Sequence, residues 1–277
     1  MKELKEFKLR IGLSDDIMTQ ALKIIPTALL EAYKKSFSTT VQQHFEELRE
    51  SEISNENFSF YMSVSAVFSS KIEGEDIELD SFIKHKRLGV HYQPDYTQKI
   101  DDLYSAYEFA AAHVLTPENL LRAHALLTKN ILHRSQQGTV RKGNMFVITD
   151  DGKMEYVAAT PDKVAYEMQR LNDDIEVLLN SDLEFDEVLF YASMLHLVFV
   201  KIHPFEDGNG RTGRLLEKWF LAQKLGAKAW FIQSEKYYYN QHQTYYSNIR
   251  KLGLEYDDLN YNQALSFLQM LPQSVML

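Results

Sequence analysis

Residues His203-Pro204-Phe205-Glu206-Asp207-Gly208-Asn209-Gly210-Arg211-Thr212-Gly213-Arg214 gather more chemistry than any other stretch of this 277-residue chain. Gly208 and Gly210 admit backbone conformations closed to other residues and remove side chains that would block a ligand. Consecutive amides in such a turn, leading into a helix N-terminus, make an anion nest. Arg211 and Arg214 are spaced to project from one helical face, and two guanidinium groups beside that nest suit a polyphosphate. Asp207 supplies a hard oxygen of the kind Mg²⁺ uses together with substrate phosphates. His203, at the other end of the turn, is placed for a general base reaching an incoming hydroxyl.

The elements that must hold this turn read as helices. Glycine and proline are sparse, 11 and 6 residues, and long stretches repeat at helical period, so a mostly all-α fold is expected. Asp186 to Ile202, just before the turn, is apolar on nearly every face and belongs at the centre of a bundle. The helix after it carries Leu215, Leu216, Trp219, Phe220 and Leu221. Upstream, residues 1–49 read as one or two amphipathic helices broken near Pro26. Ser54 is a candidate N-cap for a helix carrying Phe58, Tyr61, Met62, Val67 and Phe68 towards Lys71, with Gly74 at its end. Tyr96 to His113 is a further helix. Thr116-Pro117 opens the next, running through His124 to Ile131, with Asn119 where a capping box prefers Glu. Met145 to Ile148 and Lys153 to Val157, around Asp150-Asp151-Gly152, read as a β-hairpin. Pro161 restarts a helix through Ile175.

Composition narrows the function classes. With 30 Lys+Arg against 39 Asp+Glu, the formal charge is −9, which argues against broad nucleic-acid binding. Cysteine is absent, excluding disulfides, a thiol nucleophile and thiolate metal sites. The charged N-terminus lacks the apolar stretch of a secretory signal. The most apolar segment, 188–202, is too short for an ordinary membrane span and includes His196 and Lys201. The expectation is a soluble cytoplasmic protein with no membrane partner. His196 reads as a hydrogen-bonded core histidine. His124 and His133 lack metal-ligand spacing, and Tyr237-Tyr238-Tyr239 reads as packing before ligand stacking.

The segment 203–214 resembles the Fic family motif, HPFx(D/E)GNGRxxR, at every specified position. The resemblance implies a Fic-type helical bundle with a small β-hairpin flap. It also implies transfer of AMP from ATP to a Ser, Thr or Tyr hydroxyl of a target protein, with pyrophosphate leaving. In that scheme His203 deprotonates the hydroxyl and Asp207 holds Mg²⁺. The amides around Gly208, Asn209 and Gly210 bind phosphates, Arg211 and Arg214 take the β and γ phosphates, and the backbone of Thr212 and Gly213 lies close to the nucleotide. Phe205 anchors the loop in the core. The kinase-like Doc branch carries lysine where this chain has Gly210, so glycine favours nucleotidyl transfer.

Ser69-Ser70-Lys71-Ile72-Glu73-Gly74 is similar to the family's inhibitory motif, (S/T)xxxE(G/N). The resemblance implies that Glu73 pairs bidentately with Arg214, braced by Ser69, and withholds that guanidinium from the γ-phosphate. More loosely, Gly138-Thr139-Val140-Arg141 with Val147-Ile148 resembles the start of the flap, on whose 141–159 hairpin a target segment adds as a strand. Ser234 to Tyr246 resembles the adenine-contacting helix, with Asn240 and Tyr245 or Tyr246 towards the base. The implied division is an inhibitory helical region (1–89), a Fic core (90–255) and a helical tail (256–277), with a homodimer compatible with the class. Removal of AMP using Glu73, a non-catalytic nucleotide-responsive module, and a kinase are the competing readings.

Overall fold

Thr116-Pro117 and Thr160-Pro161 each open a helix, because proline at the first helical position gives up an N–H that would lack a partner anyway. Thr116 Oγ1 accepts from the Asn119 amide at 3.2 Å, and the Asn119 side chain donates back to the Val114 carbonyl. Asparagine thus closes this helix start by reaching the preceding loop. The structure is a computed structural model and describes residues 22–48, 55–90, 93–148 and 154–277. Ser54 and the Asp150-Asp151-Gly152 turn lie outside the described residues, as does the start of the N-terminal helical stretch.

In chain order the helices are α1 (Leu30–Ser36), α2 (Thr39–Glu47), α3 (Asn55–Ile72), α4 (Leu79–Leu88), α5 (Pro94–Ala112) and α6 (Pro117–Leu127). The strands β1 (Phe146–Ile148) and β2 (Met154–Val157) follow, and then α7 (Pro161–Asn180), α8 (Phe185–Ile202) and α9 (Asn209–Leu225). A 3₁₀ turn over Ala227–Phe231 leads to α10 (Ser234–Asn240), α11 (His242–Arg250), α12 (Leu265–Leu268) and α13 (Met270–Val275). The fold is mostly helical, with β1 and β2 pairing antiparallel around a register shift between Val147 and Ile148.

Helix α8 occupies the centre, as its all-round apolar sequence requires. Val188 to Phe199 is buried on every face, and each large apolar side chain there contributes roughly 1.5–3 kcal/mol relative to exposure. It touches α1, α7, α9, α12 and α13, and one continuous buried cluster runs from Ile25 to Leu271. The N-terminal segment is pinned to this centre by a charge: Asp174 of α7 is buried and accepts the amides of Lys23, Ile24 and Ile25 at 2.6–2.8 Å.

The helix begun at Thr116 stops at Leu127, short of the expected Ile131. Thr128 Oγ1 donates to the His124 carbonyl at 2.7 Å, and the amides of Ile131 and Leu132 fold back onto the Thr128 carbonyl. The early stop sets Thr128 against Gly208, where a Cβ would meet Thr128 Cγ2 at 2.8 Å. Among the described residues, no helix is long and apolar enough to cross a membrane.

Candidate active site

The turn between α8 and α9 is held in shape by its own side chains. Asn209 Oδ1 accepts from the Phe205 amide at 2.9 Å and Asn209 Nδ2 donates to the Phe205 carbonyl at 2.8 Å, so one buried amide replaces a backbone pair across the loop. Phe205 is fully buried. Gly208 takes the left-handed conformation (φ 77°) that ends the turn and starts α9. The first amides of α9, from Asn209 to Arg211, have no intrahelical partner by the geometry of a helix start, and they carry its positive dipole end. Thr212 is buried with its hydroxyl on the Gly208 carbonyl. Gly213 lets α9 approach α8: a Cβ there would meet Val200 Cγ1 at 2.8 Å and His196 Cδ2 at 3.0 Å.

His203 caps α8 in the left-handed region (φ 54°, ψ 59°), strained for a residue with a Cβ. Arg141 holds it there. Its Nε donates to the His203 carbonyl at 2.7 Å, its backbone amide donates to the Pro204 carbonyl, and its Nη2 reaches the Ala159 carbonyl at 2.5 Å. His203 Nδ1 faces the Val200 carbonyl at 3.2 Å. A carbonyl only accepts, so Nδ1 carries the hydrogen and Nε2 keeps the lone pair a base needs. Burial, with Arg141 nearby, lowers the imidazole pKa to about 4, so the ring is neutral near pH 7.

Asp207 is exposed, and its Oδ1 accepts from the Gly208 amide at 2.5 Å. Among the described residues no group of His, Cys, Asp or Glu is assembled to hold a metal on its own. One exposed carboxylate beside an anion nest fits Mg²⁺ brought together with phosphates and water.

Helices α3 and α9 meet antiparallel at one-turn intervals. Ser65 pairs with Lys218, Ser69 with Arg214, and Glu73 comes against Gly210. Arg214 is buried; its Nε donates to Ser69 Oγ (2.8 Å), Nη2 to the Ser69 carbonyl (3.0 Å) and to Glu73 Oε1 (2.6 Å), and Nη1 to the Tyr245 hydroxyl (3.4 Å). Two features differ from the reading by resemblance. The carboxylate contact is through one oxygen, because Ser69 already takes the Nε edge that a bidentate pair needs. Ser69 accordingly braces the arginine and not Glu73. Burial pushes the Glu73 carboxyl up, but Arg214 and Arg211 outweigh it and hold the pKa below the ordinary value. A Cβ on Gly210 would sit 2.5 Å from Glu73 Oε1, so glycine here is a condition for the Glu73 contact.

Tyr245 is buried, stacked on Tyr238. Burial raises its pKa to about 12, so its hydroxyl keeps its proton. It accepts from Arg214 and donates to His196 Nε2 at 3.0 Å, and His196 Nδ1 then donates to Glu217 Oε2 at 2.8 Å. His196 is thus a hydrogen-bonded core histidine. With Tyr245 engaged in this way, Tyr246 is the partly accessible member of the pair. Asn240 sits exposed at the end of α10.

Three residues of this neighbourhood lie outside what the sequence reading assigned to the site. His124 is buried, stacked on the Phe205 ring at 3.6 Å. Its Nδ1 accepts from the Gly138 amide at 2.9 Å, so its Nε2 donates to the Asp207 carbonyl at 3.0 Å. Burial lowers its pKa to about 4, in keeping with this neutral tautomer. It joins the root of the flap to the turn. Arg141 was legible only as part of the flap's opening residues. Glu75 belongs to no sequence motif, yet its carboxylate accepts from Arg211 Nη2 at 2.7 Å.

The second flap strand is fixed to the same place: the Tyr156 hydroxyl donates to the Lys201 carbonyl at 2.7 Å, and the Val157 amide to the Leu254 carbonyl at 2.8 Å. The outer edge of β1 carries no further strand among the described residues.

Residues 114–221 match the Fic/DOC family. The chain carries a Fic domain. The match spans α6 to α9, with the flap and the motif turn between them. The chain is 31% identical over 102 residues to the protein adenylyltransferase Fic of Nematostella vectensis, covering 37% of this chain and 22% of that protein. It is 43% identical over 61 residues to the protein adenylyltransferase Fic of Drosophila willistoni, covering 22% of this chain and 12% of that one. The chain therefore spans less than a quarter of the length of these curated relatives. The fold superposes on a Fic family protein from Desulfovibrio desulfuricans G20 with a TM-score of 0.73 at 21% identity, covering 92% of this chain and 75% of that one. It superposes on Fic-1 from C. elegans with a TM-score of 0.64 at 17% identity, covering 90% and 71%.

Proposed function

We propose that this Fic protein is an autoinhibited protein adenylyltransferase that uses ATP and Mg²⁺. The observation that carries the proposal is Glu73 at 2.6 Å from the last arginine of an intact motif. A site kept only to bind would need neither the base nor the stop. In this reading His203 Nε2 takes the proton of a target hydroxyl, whose oxygen bonds to the α-phosphorus as the bond to the leaving pyrophosphate breaks. The α9 amides and the two arginines hold the phosphates in line, so the chain's contribution is positioning and charge stabilisation. Mg²⁺ held by Asp207 neutralises phosphate charge when bound. The open β1 edge supports docking of an extended target segment, with its hydroxyl brought to the turn by a flap whose root is bonded to His203's own carbonyl.

The test uses α-labelled ATP with Mg²⁺ and a lysate. Glu73→Gly is expected to raise protein labelling on the order of 10²-fold by restoring one phosphate clamp. His203→Ala in that background is expected to lower it by about 10²–10⁴-fold. Equal labelling in wild type and Glu73→Gly removes the autoinhibition. If wild type strips AMP from a modified target without ATP and Glu73→Gly does not, the reverse reaction is the physiological one.

A further inference from the structure

Residues 73 to 75 form one hydrogen-bonded turn at the end of α3. The amides of Glu73 and Glu75 both donate to the Ser70 carbonyl, and that of Gly74 donates to the Lys71 carbonyl, with Gly74 at φ 87° reversing the chain between the two carboxylates. From this one turn Glu73 reaches Arg214 and Glu75 reaches Arg211, so both motif arginines are engaged from the same place.

We propose that Glu75 is a second latch, which withholds Arg211 from a nucleotide's phosphates as Glu73 withholds Arg214, and which passes to Lys99 when the turn opens. The proposal rests on the triphosphate reading of the site. Its support is the incompleteness of the Arg211 contact. Glu75 and Arg211 are 4% and 5% exposed, yet they share one hydrogen bond, and Glu75 Oε2 and Arg211 Nε are both buried without a partner. A strut built to orient Arg211 would use both oxygens on the Nε edge. A single-oxygen contact with a donor left over is one that phosphate oxygens can displace. The displaced carboxylate has a cation at hand: Lys99 Nζ on α5 lies 3.5 Å from the same Oε1 and is itself 31% exposed, free to follow. Exchange of Arg211 for Lys99 therefore leaves no buried charge unpaired, which is the usual obstacle to breaking such a pair.

One consequence is that Glu73→Gly opens only half of the phosphate clamp. The test measures ATP and AMP binding by calorimetry in full-length His203→Ala protein, which cannot turn over. Adding Glu75→Gln to Glu73→Gly is expected to tighten ATP binding about tenfold, equivalent to roughly 1.4 kcal/mol, with AMP binding unmoved because AMP has no β or γ phosphate. Lys99→Met in the Glu73→Gly background, a change at a partly exposed side chain, is expected to weaken ATP binding by removing the carboxylate's alternative partner. This second arm stands if Glu75→Gln fails to fold. ATP binding in Glu73→Gly that is unchanged or weakened by Glu75→Gln, or unchanged by Lys99→Met, overturns the second latch and leaves the Glu73 reading intact. No ATP binding in any variant overturns both.

Discussion

The two basic side chains that α9 turns towards α3, Lys218 and Arg214, lie one turn apart and are held differently. At the inner one, Lys218 Nζ donates to Ser65 Oγ, to the Ile232 carbonyl and to Glu235 Oε2 at 2.5–2.7 Å, and the Tyr107 hydroxyl donates to Glu235 Oε1 at 2.7 Å. All three ammonium hydrogens and both carboxylate oxygens are used, and both charged side chains are fully buried. At the outer one, the Glu73 side chain is 26% exposed while Arg214 is buried, and next to it Arg211 and Glu75 leave polar atoms unmatched. A closed network has nothing to gain from a newcomer. An open one next to an anion nest still has polar atoms to satisfy. The face between α3 and α9 is therefore fully paired at Lys218 and only partly paired at the end nearest the turn.

The largest effect that would break this comparison is on stability. Lys218→Met strands the buried Glu235 carboxylate and is expected to cost about 3–5 kcal/mol, read as a fall in the urea midpoint, with no gain in labelling activity. If it instead raised activity, the inner contact would belong to the switch. Ser69→Ala sits between the two regions. It removes one charge-assisted bond to Arg214, so about 1.5–3 kcal/mol of stability and a partial gain in activity, smaller than that of Glu73→Gly, are expected from parallel melts and labelling assays.

The smallest effect is that of pH, and its sign follows from the shifts. The Glu73 carboxyl is held below its ordinary value of 4.5, so its charged contact is complete above that value and is lost only as pH falls through the lowered one. Wild-type repression is expected to stay flat from about pH 6 to 8. His203, at about 4 and pushed upward by Glu73, is expected to give Glu73→Gly an acid limb in kcat/KM at or below about pH 4, and not near the ordinary histidine value of 6.5. A limb near 6.5 would mean that the ring is solvated in the working state. The buried neutral His124 acts in the same direction on folding. Its pKa falls from 6.5 to about 4, so the unfolded chain takes up more protons across that interval and stability declines as pH drops through it.

Most of the site's framework was readable because it is local. A run that is apolar on all faces can only be a central helix, and α8 is that. Gly208, Pro117 and Pro161 act through their own backbone geometry. The hairpin followed from strand propensity on either side of Asp-Asp-Gly, and the strands lie within the two stretches so marked. Where the reading strayed, a tertiary contact decided. The helix from Pro117 ends at Leu127 because Thr128 turns back onto it and packs under Gly208. The Glu73 contact is single because Ser69 occupies the other edge of Arg214.

By itself the sequence determined which residues make the turn between α8 and α9, how that turn is shaped, and which helices flank it, since spacing and backbone preference act over a few residues. Only the tertiary structure decided which partner each charged group takes. Ser69 and Arg214 are 145 residues apart in the chain, Glu75 and Arg211 are 136 apart, and Arg141 and the His203 carbonyl are 62 apart. Such pairs are selected by which helix faces burial forces together, and no local preference along the chain encodes that choice.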